Sequence, residues 1–192
     1  MKSTIVIYGS STGTCQSIAQ TIASKLDAQA VDVASIDEAT ITSYDNLILG
    51  TSTWGAGEMQ DDWYDGVKTL KNAGLTGKTV ALFGCGDSES YPDTFCGGMK
   101  ELYDAAVVAG GNVLPGVSTE GYTFDDSEAV EDGNFVGLVL DEINEDDKTF
   151  SLTKRLFVTG NFSKYVPHGA KRIEITTDDK EINAVAFHKD EK

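Results

Sequence analysis

The chain has 192 residues, of which 31 are acidic and 15 are basic, so its formal net charge is −16 with both histidines neutral. This length indicates one domain or two small ones, and a hydrophobic content of 40% is enough for a core, which argues against disorder of the whole chain. Nucleic acid is excluded as a partner class, because binding phosphates requires clustered Lys and Arg. So negative a surface favours a basic partner instead.

The cysteines and the apolar runs indicate the compartment. Cys15, Cys85 and Cys96 are sparse and odd in number, which is typical of a reducing cytoplasm, and their spacing suggests no metal cluster. The N-terminal apolar run of about five residues is too short for a signal peptide. No stretch approaches the roughly 18 apolar residues of a membrane span. We therefore expect a cytoplasmic protein that has no membrane association.

Charge is distributed unevenly along the chain. Residues 1–150 contain 7 basic and 25 acidic residues, which gives 7 − 25 = −18. Residues 151–192 contain 8 basic and 6 acidic residues, which gives 8 − 6 = +2. This shift predicts a domain over residues 1–150 and a C-terminal extension over residues 151–192.

Alternating strands and helices are predicted along the first 150 residues. Apolar, β-branched runs predict strands over Thr4–Tyr8, Ala30–Val33, Asn46–Gly50, Thr79–Gly84, Asn112–Val117 and Phe135–Leu140. Apolar residues at helical spacing predict helices over Thr14–Leu26, Asp61–Asn72 and Gly97–Ala109. This pattern predicts an α/β fold in which helices cover both faces of a parallel sheet. Ligands bind such sheets beyond the carboxyl ends of the strands.

The first loop at such an end, Gly9–Thr14, has the sequence GSSTGT. It offers four hydroxyl groups and a run of backbone N–H groups at a helix N-terminus, a combination that suits a phosphate. It contains no lysine and is therefore not an ATP-type P-loop. Taken alone, the loop is equally consistent with an ordinary strand–helix turn rich in Ser and Gly.

The second loop, Thr51–Glu58, and the third loop, Gly84–Asp93, each carry an aromatic residue in a polar setting, Trp54 and Tyr91. Such a residue either caps a helix end or stacks on a planar ligand. Because all three loops follow the carboxyl ends of strands, we expect them to meet. Together they predict a planar ring between Trp54 and Tyr91, with its phosphate on the first loop.

The segments GSSTGT, STWGAGEMQDDW and GCGDSESYPDTF resemble, in order and approximate spacing, the three flavin-mononucleotide loops of flavodoxins. The resemblance covers about residues 1–147, and the interrupted last strand, PGVSTEGYTFDDSEAVEDGNFVGLVLDE, is similar to the long-chain subgroup. It implies a flavodoxin-like doubly wound five-stranded parallel sheet of order 2-1-3-4-5. It further implies noncovalent FMN and a low-potential one-electron carrier, monomeric and not an enzyme, that shuttles electrons between redox enzymes.

The resemblance also assigns roles to residues of the three loops. Those expected to hold the phosphate are Ser10, Ser11, Thr12, Gly13, Thr14 and Cys15. Cys15 stands where the family usually has a threonine; a thiol is the weaker donor, so its backbone amide is the group that remains. Those expected against the inner face and N5 of the ring are Thr53, Trp54, Gly55, Ala56 and Gly57.

The remaining assignments concern the other side of the ring. Tyr91 would cover its outer face, and the residues expected at its pyrimidine edge are Cys85, Gly86 and Asp87. The resemblance implies in addition that the Gly55–Ala56 peptide turns its carbonyl toward N5 upon reduction, which glycine makes easier. Carboxylates near the proposed ring would lower the potential and attract redox partners with basic docking surfaces; they are Glu58, Asp61, Asp62, Asp87, Glu89 and Asp93.

The sequence departs from flavodoxins after Asp147, where the family ends with an amphipathic helix. Here the short apolar runs RLFVTG, KRIEIT and INAVAFH alternate with turn signals, which predicts an atypical β-rich tail. The phrase FVTGNFSKYVPHGAKRI is similar to the C-terminal β-domain of certain glycoside hydrolases, which implies a fusion fragment. The paired carboxylates of sugar cleavage are not identifiable in the sequence, so we expect no such activity.

Two alternative functions stay open at this point. One is an FMN-dependent NAD(P)H–quinone oxidoreductase of flavodoxin-like fold, which would need open space over the ring for its substrate. The other is an interaction module that binds no flavin because the usual last helix has been replaced.

Overall fold

The computed structural model describes residues 3–141, 171–173 and 186–188 of the chain. The chain divides into two compact units, Lys2–Leu152 and Thr153–Lys192. The domain boundary expected near residue 150 lies outside the described residues and stays a prediction.

The described part of the first unit alternates strands and helices. Its strands are β1 (Thr4–Gly9), β2 (Gln29–Asp32), β3 (Asn46–Trp54), β4 (Glu58–Met59), β5 (Thr79–Gly86), β6 (Asn112–Val113), β7 (Val130–Glu131), β8 (Asn134–Phe135) and β9 (Leu138–Asp141). Its helices are α1 (Thr14–Leu26), α2 (Glu38–Thr42), α3 (Trp63–Ala73) and α4 (Gly98–Val108), and short 3₁₀ turns cover Val33–Ser35 and Pro92–Thr94. Among the described helices, none has both the length and the apolar character needed to cross a membrane.

The sheet has the order β2-β1-β3-β5-β6, and these strands are all parallel. β6 pairs with the beginning of β5, whereas β9 pairs in parallel with its end, from Phe83↔Leu138 to Gly86↔Asp141. Two short strands therefore share the fifth position of the sheet. If the short antiparallel strand β4 is left out of the numbering, this is the order 2-1-3-4-5. The predicted α/β fold and strand order are confirmed.

The central strands are buried because helices cover both of their faces. Ile5 and Ile7 of β1 belong to a core cluster that also contains Trp63 and Leu102 of the helices α3 and α4. The residue between them, Val6, points to the opposite face of the sheet, as strand alternation requires. α1 packs against β1 with a buried apolar stripe made of Ile18, Ala19, Ile22 and Ala23. The predicted apolar periodicity thus corresponds to real packing surfaces.

The last predicted strands are shorter than expected. β6 ends at Val113, and the run predicted over Phe135–Leu140 is divided between β8 and β9. The reason is that β9, and not a longer β6, pairs with the end of β5. The backbones approach closely here, since a Cβ at Gly116 would lie 1.6 Å from the Phe135 carbonyl oxygen, and one at Gly137 would lie 2.7 Å from that of Leu82. Residues 114–137, hereafter the insertion, interrupt the fifth strand and contain the small hairpin β7–β8.

Helix α2 was not predicted. It is only five residues long, too short for a helical apolar period to be visible in the sequence. Its start is fixed by Asp37, whose carboxylate accepts hydrogen bonds from the backbone N–H of Thr40 at 2.7 Å and from its hydroxyl at 2.6 Å. The signal was therefore an N-cap residue rather than a periodic pattern.

In the second unit, the structure describes one antiparallel strand pair. β10 (Lys171–Ile173) pairs with β11 (Ala186–His188), and in the backbone register Lys171 pairs with His188. These strands fall within two of the three apolar runs predicted as strands. The remaining run, RLFVTG, lies outside the described residues.

Candidate functional site

A cleft of about 360 Å³ opens at the carboxyl ends of β1, β3 and β5. Its volume lies within the range of small-molecule sites. The residues that line it come from the three loops and the segment just after the third; they are Thr12, Ser52, Thr53, Trp54, Gly55, Cys85, Gly86, Asp87, Tyr91, Thr94, Phe95 and Cys96. The structure therefore brings the three loops together, at the edge where parallel sheets bind ligands.

The first loop leads directly into α1. Gly13 is the N-cap residue and has a φ of +97°, a left-handed conformation that glycine adopts readily. Among the described residues, no side chain caps this helix start. Since the first amides of a helix have no partner within the helix, they remain available to an anion beside the loop.

Hydroxyl groups of the first loop also make contacts inside the protein. The Ser10 hydroxyl oxygen accepts a hydrogen bond from the Gly13 backbone N–H at 3.2 Å, which shapes the loop. The Ser11 hydroxyl oxygen lies 3.5 Å from Nε2 of Gln60, which donates to it. Thr12 is the residue of this loop that lines the cleft.

Gln60 connects the first loop to the start of α3. It is almost completely buried, and its side-chain N–H also donates to the Asp62 carboxylate at 2.8 Å. A Cβ at Gly9 would lie 2.5 Å from both Gln60 Oε1 and Trp63 Cδ1, so this close packing requires glycine. Gln60 was not among the predicted site residues, because nothing in the neighbouring sequence indicates that it is buried.

Cys15 is the second residue of α1, and its side chain is 0% exposed. The thiol therefore packs in the interior and does not reach a ligand in the cleft. What Cys15 can offer an anion is its backbone N–H, one of the first amides of the helix. The replacement of a hydroxyl by a thiol thus matters less than the sequence suggested.

The second loop is the turn of a small hairpin. β3 and β4 pair in antiparallel fashion, with Trp54 opposite Glu58, and the Gly57 N–H donates to the Trp54 carbonyl at 3.0 Å. Gly55 and Gly57 have φ values of +53° and +111°, which disfavour other residues. The Ala56 N–H donates to Oε2 of Glu58 at 2.6 Å. The turn is therefore closed by one backbone bond and one carboxylate.

Trp54 borders the cleft and is 42% exposed. Its indole N–H donates to the Ser52 hydroxyl oxygen at 2.8 Å, which fixes the orientation of the ring. Because the polar edge of the indole is occupied in this way, its apolar face is the part available for stacking.

Thr53 Oγ1 has an unusual environment. Among the described residues it is the buried side-chain oxygen or nitrogen that has no hydrogen-bond partner. Buried hydroxyls are almost always paired, and Thr53 lines the cleft. A polar ligand in the cleft would supply the missing partner.

The third loop is organised by Asp87. Its carboxylate accepts hydrogen bonds from the backbone N–H groups of Glu89 and Ser90 at 3.0 and 2.9 Å, and its carbonyl accepts one from Tyr91 at 3.0 Å. Desolvation by partial burial acts to raise the pKa of the Asp87 carboxyl, but the bonds from Ser90 and Glu89 outweigh it and lower the pKa below its ordinary value. Tyr91, at the end of this turn, is 64% exposed and borders the cleft.

The insertion and β9 hold the third loop and the segment after it. Ser88 donates to the Asp141 carboxylate from its N–H at 3.0 Å and from its hydroxyl at 2.5 Å. The Ser127 hydroxyl donates to the Phe95 carbonyl at 2.5 Å. Four aromatic rings pack on one another here, with centroids 5.2 to 6.3 Å apart; they are Phe95, Tyr122, Phe124 and Phe135.

The structure places the predicted residues in two groups. Those that line the cleft are Thr12, Thr53, Trp54, Gly55, Cys85, Gly86, Asp87 and Tyr91. Those that belong to the same loops or the start of α1 but are outside the lining described here are Ser10, Ser11, Gly13, Thr14, Cys15, Ala56 and Gly57. The second group can act through loop geometry or backbone amides.

Four lining residues were not predicted: Ser52, Thr94, Phe95 and Cys96. Ser52 could have been found, because it lies two positions before Trp54 on a strand and so projects from the same face. Phe95 and Cys96 gave no such signal. Phe95 reaches the cleft with the insertion packed behind it.

Comparison with known proteins gives the family. The profile of the family described as Flavodoxin matches residues 6–132. The chain is 40% identical over 151 residues to Flavodoxin 1 of Azotobacter vinelandii and 39% identical over 145 residues to the flavodoxin of Helicobacter pylori; each match covers 75% of this chain and 87% of the relative.

A similar solved structure is the Fusobacterium nucleatum flavodoxin bound to flavin mononucleotide. It has a TM-score of 0.74 and 32% sequence identity, covering 85% of this chain and 98% of that one. These matches lend no support to the resemblance between the tail and glycoside hydrolases. The residues that line the cleft lie within the matched region. The chain belongs to the flavodoxin family.

Proposed function

We propose that this chain is a low-potential one-electron carrier that binds FMN noncovalently in the cleft and passes electrons between redox enzymes. The observation that carries the proposal is the convergence of Trp54, Tyr91 and the first loop on one cleft. Relatives that are 40% and 39% identical to this chain are flavodoxins, and a similar solved structure is a flavodoxin bound to flavin mononucleotide.

The residues present fit this cofactor. The flavin ring supplies one-electron chemistry when it is bound, and the chain supplies binding and orientation. Trp54 and Tyr91 are exposed aromatic residues at the border of the cleft, and they would cover the two faces of a planar ring. Thr53 Oγ1, buried at the cleft without a partner among the described residues, offers a hydroxyl to a polar group of the ligand.

The phosphate and the pyrimidine edge have their own candidates. The first loop and the start of α1 present backbone amides and hydroxyls from Ser10 to Cys15, so neutral hydrogen bonds and the helix dipole would hold the phosphate without a lysine. Cys85, Gly86 and Asp87 would contact the pyrimidine edge, mainly through backbone groups. Since the Asp87 carboxylate is already occupied by the third loop, its role is to shape that edge.

The test is reconstitution followed by spectroscopy. Cofactor-free protein is titrated with FMN and, as the matched control ligand, with riboflavin, which lacks the phosphate. We expect saturable FMN binding with quenching of flavin and tryptophan fluorescence, and clearly weaker riboflavin binding. A protein that binds neither flavin would overturn the proposal and support the interaction module. Equal affinity for the two would refute the role of the first loop.

The quinone oxidoreductase is not favoured by the comparisons, since the relatives are named as flavodoxins. Tyr91 stacked on the outer face of the ring would also occupy the space that a quinone needs. A steady-state assay with NAD(P)H and a quinone separates the two functions. We expect turnover at background level, and efficient turnover would contradict the carrier function.

Redox partners are proposed to dock through basic surfaces beside the cleft. The second loop and its surroundings carry Glu58 and Asp61, and α4 carries Glu101, whose charge acts on the same Tyr64 hydroxyl. Desolvation, followed by the charges of Glu101, Glu58 and Asp61, raises the pKa of the Tyr64 hydroxyl above its ordinary value, which indicates a negative potential at this point. Such a surface would attract cations and would also disfavour negative charge added to the cofactor, so it supports a low potential.

Docking of this kind predicts a dependence on salt. Electron transfer to a basic reductase should slow as ionic strength rises, because the attraction is screened over a Debye length of about 10 Å at 0.1 M salt. A rate that does not respond to salt would contradict the docking surface.

The protein is further proposed to be a cytoplasmic monomer without nucleic-acid or membrane partners; its sparse cysteines and net charge of −16 support this.

A further inference from the structure

Glu58 makes an unusually direct contact with the second loop. Its Oε2 accepts the Ala56 N–H at 2.6 Å, a short bond to a charged acceptor. The same oxygen lies 2.2 Å from where a Cβ on Gly55 would be, so the carboxylate fills the space that any side chain at position 55 would need. The absence of a Cβ at Gly55 is therefore what allows Glu58 to reach the turn.

This contact fixes the orientation of one peptide. The Gly55–Ala56 bond is trans, so the Gly55 carbonyl points opposite to the Ala56 N–H and hence away from the Glu58 carboxylate. Trp54 and Glu58 are directly opposite each other on β3 and β4, which places their side chains on the same face of the hairpin. The Ala56 N–H points to the Glu58 carboxylate on this face, so the Gly55 carbonyl points away from it. This face borders the cleft through Trp54.

We infer that Glu58 is a positioning residue that holds the Gly55–Ala56 peptide with its carbonyl turned away from the cleft. It does so through the bond between the Ala56 N–H and Glu58 Oε2, hereafter the latch, and this bond must break before the carbonyl can turn. The inference rests on the proposed function. If bound FMN took up one electron from a redox partner and one proton from solvent, an N–H bond would form at N5 and no bond would break. The acceptor at N5 would thereby become a donor, which a carbonyl can satisfy and an N–H cannot.

The latch therefore opposes uptake of the first electron. Turning the peptide breaks the bond between Ala56 and Glu58, and the loss of a hydrogen bond to a charged acceptor weighs against the turned orientation. Removing the acceptor should shift the equilibrium toward that orientation. Glu58→Ala removes both charge and acceptor, whereas Glu58→Gln removes the charge and retains a neutral acceptor oxygen.

The experiment compares these two variants with Asp61→Ala, which removes an exposed carboxylate close to Glu58 in the chain without removing the acceptor for Ala56. Two quantities are measured. The first is the equilibrium constant for adding the first electron to the FMN-loaded protein. The second is hydrogen exchange of the Ala56 amide in the FMN-free protein, which reports on the latch without any cofactor.

We expect the first-electron equilibrium constant to rise about fivefold more in Glu58→Ala than in Glu58→Gln, because only the second retains an acceptor. Asp61→Ala should show only the smaller effect of a lost charge. In the FMN-free protein, exchange of the Ala56 amide should accelerate by about tenfold in Glu58→Ala and stay unchanged in Asp61→Ala.

Equal shifts in Glu58→Ala, Glu58→Gln and Asp61→Ala would overturn the latch, because charge alone would then explain them. So would an Ala56 amide that exchanges at the same rate in all variants. If the wild-type protein does not bind FMN, the proposed function fails and with it the redox role. The exchange experiment then still decides whether the contact between Glu58 and Ala56 exists.

Discussion

The second and third loops border the same cleft but are held in different ways. The second loop is closed by one backbone bond and the contact between Glu58 and Ala56, with Gly55 and Gly57 at positive φ. The third loop and the segment after it are tied to β9, to the insertion and to a cluster of four aromatic rings. The difference indicates one wall of the cleft that can rearrange and one that is fixed.

The physical reason lies in the number of contacts that must break together. By the inference above, a peptide of the second loop turns once a single side-chain bond is lost. Movement of the third loop would disrupt several hydrogen bonds and the packing of buried rings at once, which is far more costly. A redox carrier benefits from this division, because the ring can stay fixed while one peptide adapts to its protonation.

The largest effect is expected from a substitution in the aromatic cluster that holds the third loop. Phe135 is fully buried and contacts Phe95, Tyr122 and Phe124. Phe135→Ala should lower the free energy of unfolding by about 3–5 kcal/mol, as cavity formation in a core does, and should also weaken FMN binding. Denaturant unfolding and FMN titration measure the two effects.

The matched control for this variant is Val108→Ala, at a position that is 75% exposed on α4. It should change stability by less than about 0.5 kcal/mol. A Phe135→Ala protein with wild-type stability would mean that the aromatic cluster does not support the third loop.

A smaller effect is expected when one bond between the insertion and the cleft is removed. The buried hydroxyl of Ser127 donates to the Phe95 carbonyl and accepts from the Ala129 N–H. Ser127→Ala leaves both groups without that partner and should cost about 1–3 kcal/mol of unfolding free energy. Thermal or denaturant unfolding measures it, with the exposed Ser24→Ala as control. Equal stability of the two variants would show that the bond between the insertion and Phe95 does not stabilise the fold.

Removal of the aromatic side chain of the second loop should affect binding and not folding. Because Trp54 is half-exposed, Trp54→Ala should weaken FMN binding by about tenfold and change the stability of the FMN-free protein by less than about 0.5 kcal/mol. FMN titration and unfolding measure both. Tyr64→Ala, an exposed aromatic outside the cleft lining, should leave the affinity unchanged. Identical affinities for these two variants would exclude stacking by Trp54.

The smallest effect concerns the protonation of the third loop. The folded-state pKa of Asp87 is lowered below its ordinary value, so its contribution to stability is present above that ordinary value and is lost as pH falls through the lower folded pKa. Ser90→Ala should move the pKa of Asp87 upward, because a hydroxyl donor is removed. NMR titration of the carboxyl carbon measures this shift.

Ser88→Ala is the control for that titration, since the Ser88 hydroxyl donates to Asp141 and not to Asp87. It should leave the pKa of Asp87 where it is in the wild type. A Ser90→Ala variant with an unmoved Asp87 pKa would show that the Ser90 hydroxyl does not stabilise the carboxylate.

The sequence alone determined the fold and the location of the site. Strands such as Thr4–Gly9 are apolar on both faces, and this local pattern is typical of a parallel sheet that is covered on both faces. The order of strands then brings the loops after β1, β3 and β5 to one edge. Trp54 and Tyr91 could be singled out because aromatic residues in glycine-rich, polar loops have no local packing partner.

Only the tertiary structure decided how each loop is held. The burial of Cys15, the connection of Gln60 to the first loop and the contact of Ser127 with Phe95 each join elements that a residue pattern does not relate. The latch by Glu58 is of the same kind. The sequence marked this residue as one carboxylate among several, and its role follows from a hairpin register and from the missing Cβ of Gly55, which depend on how the backbone folds in space.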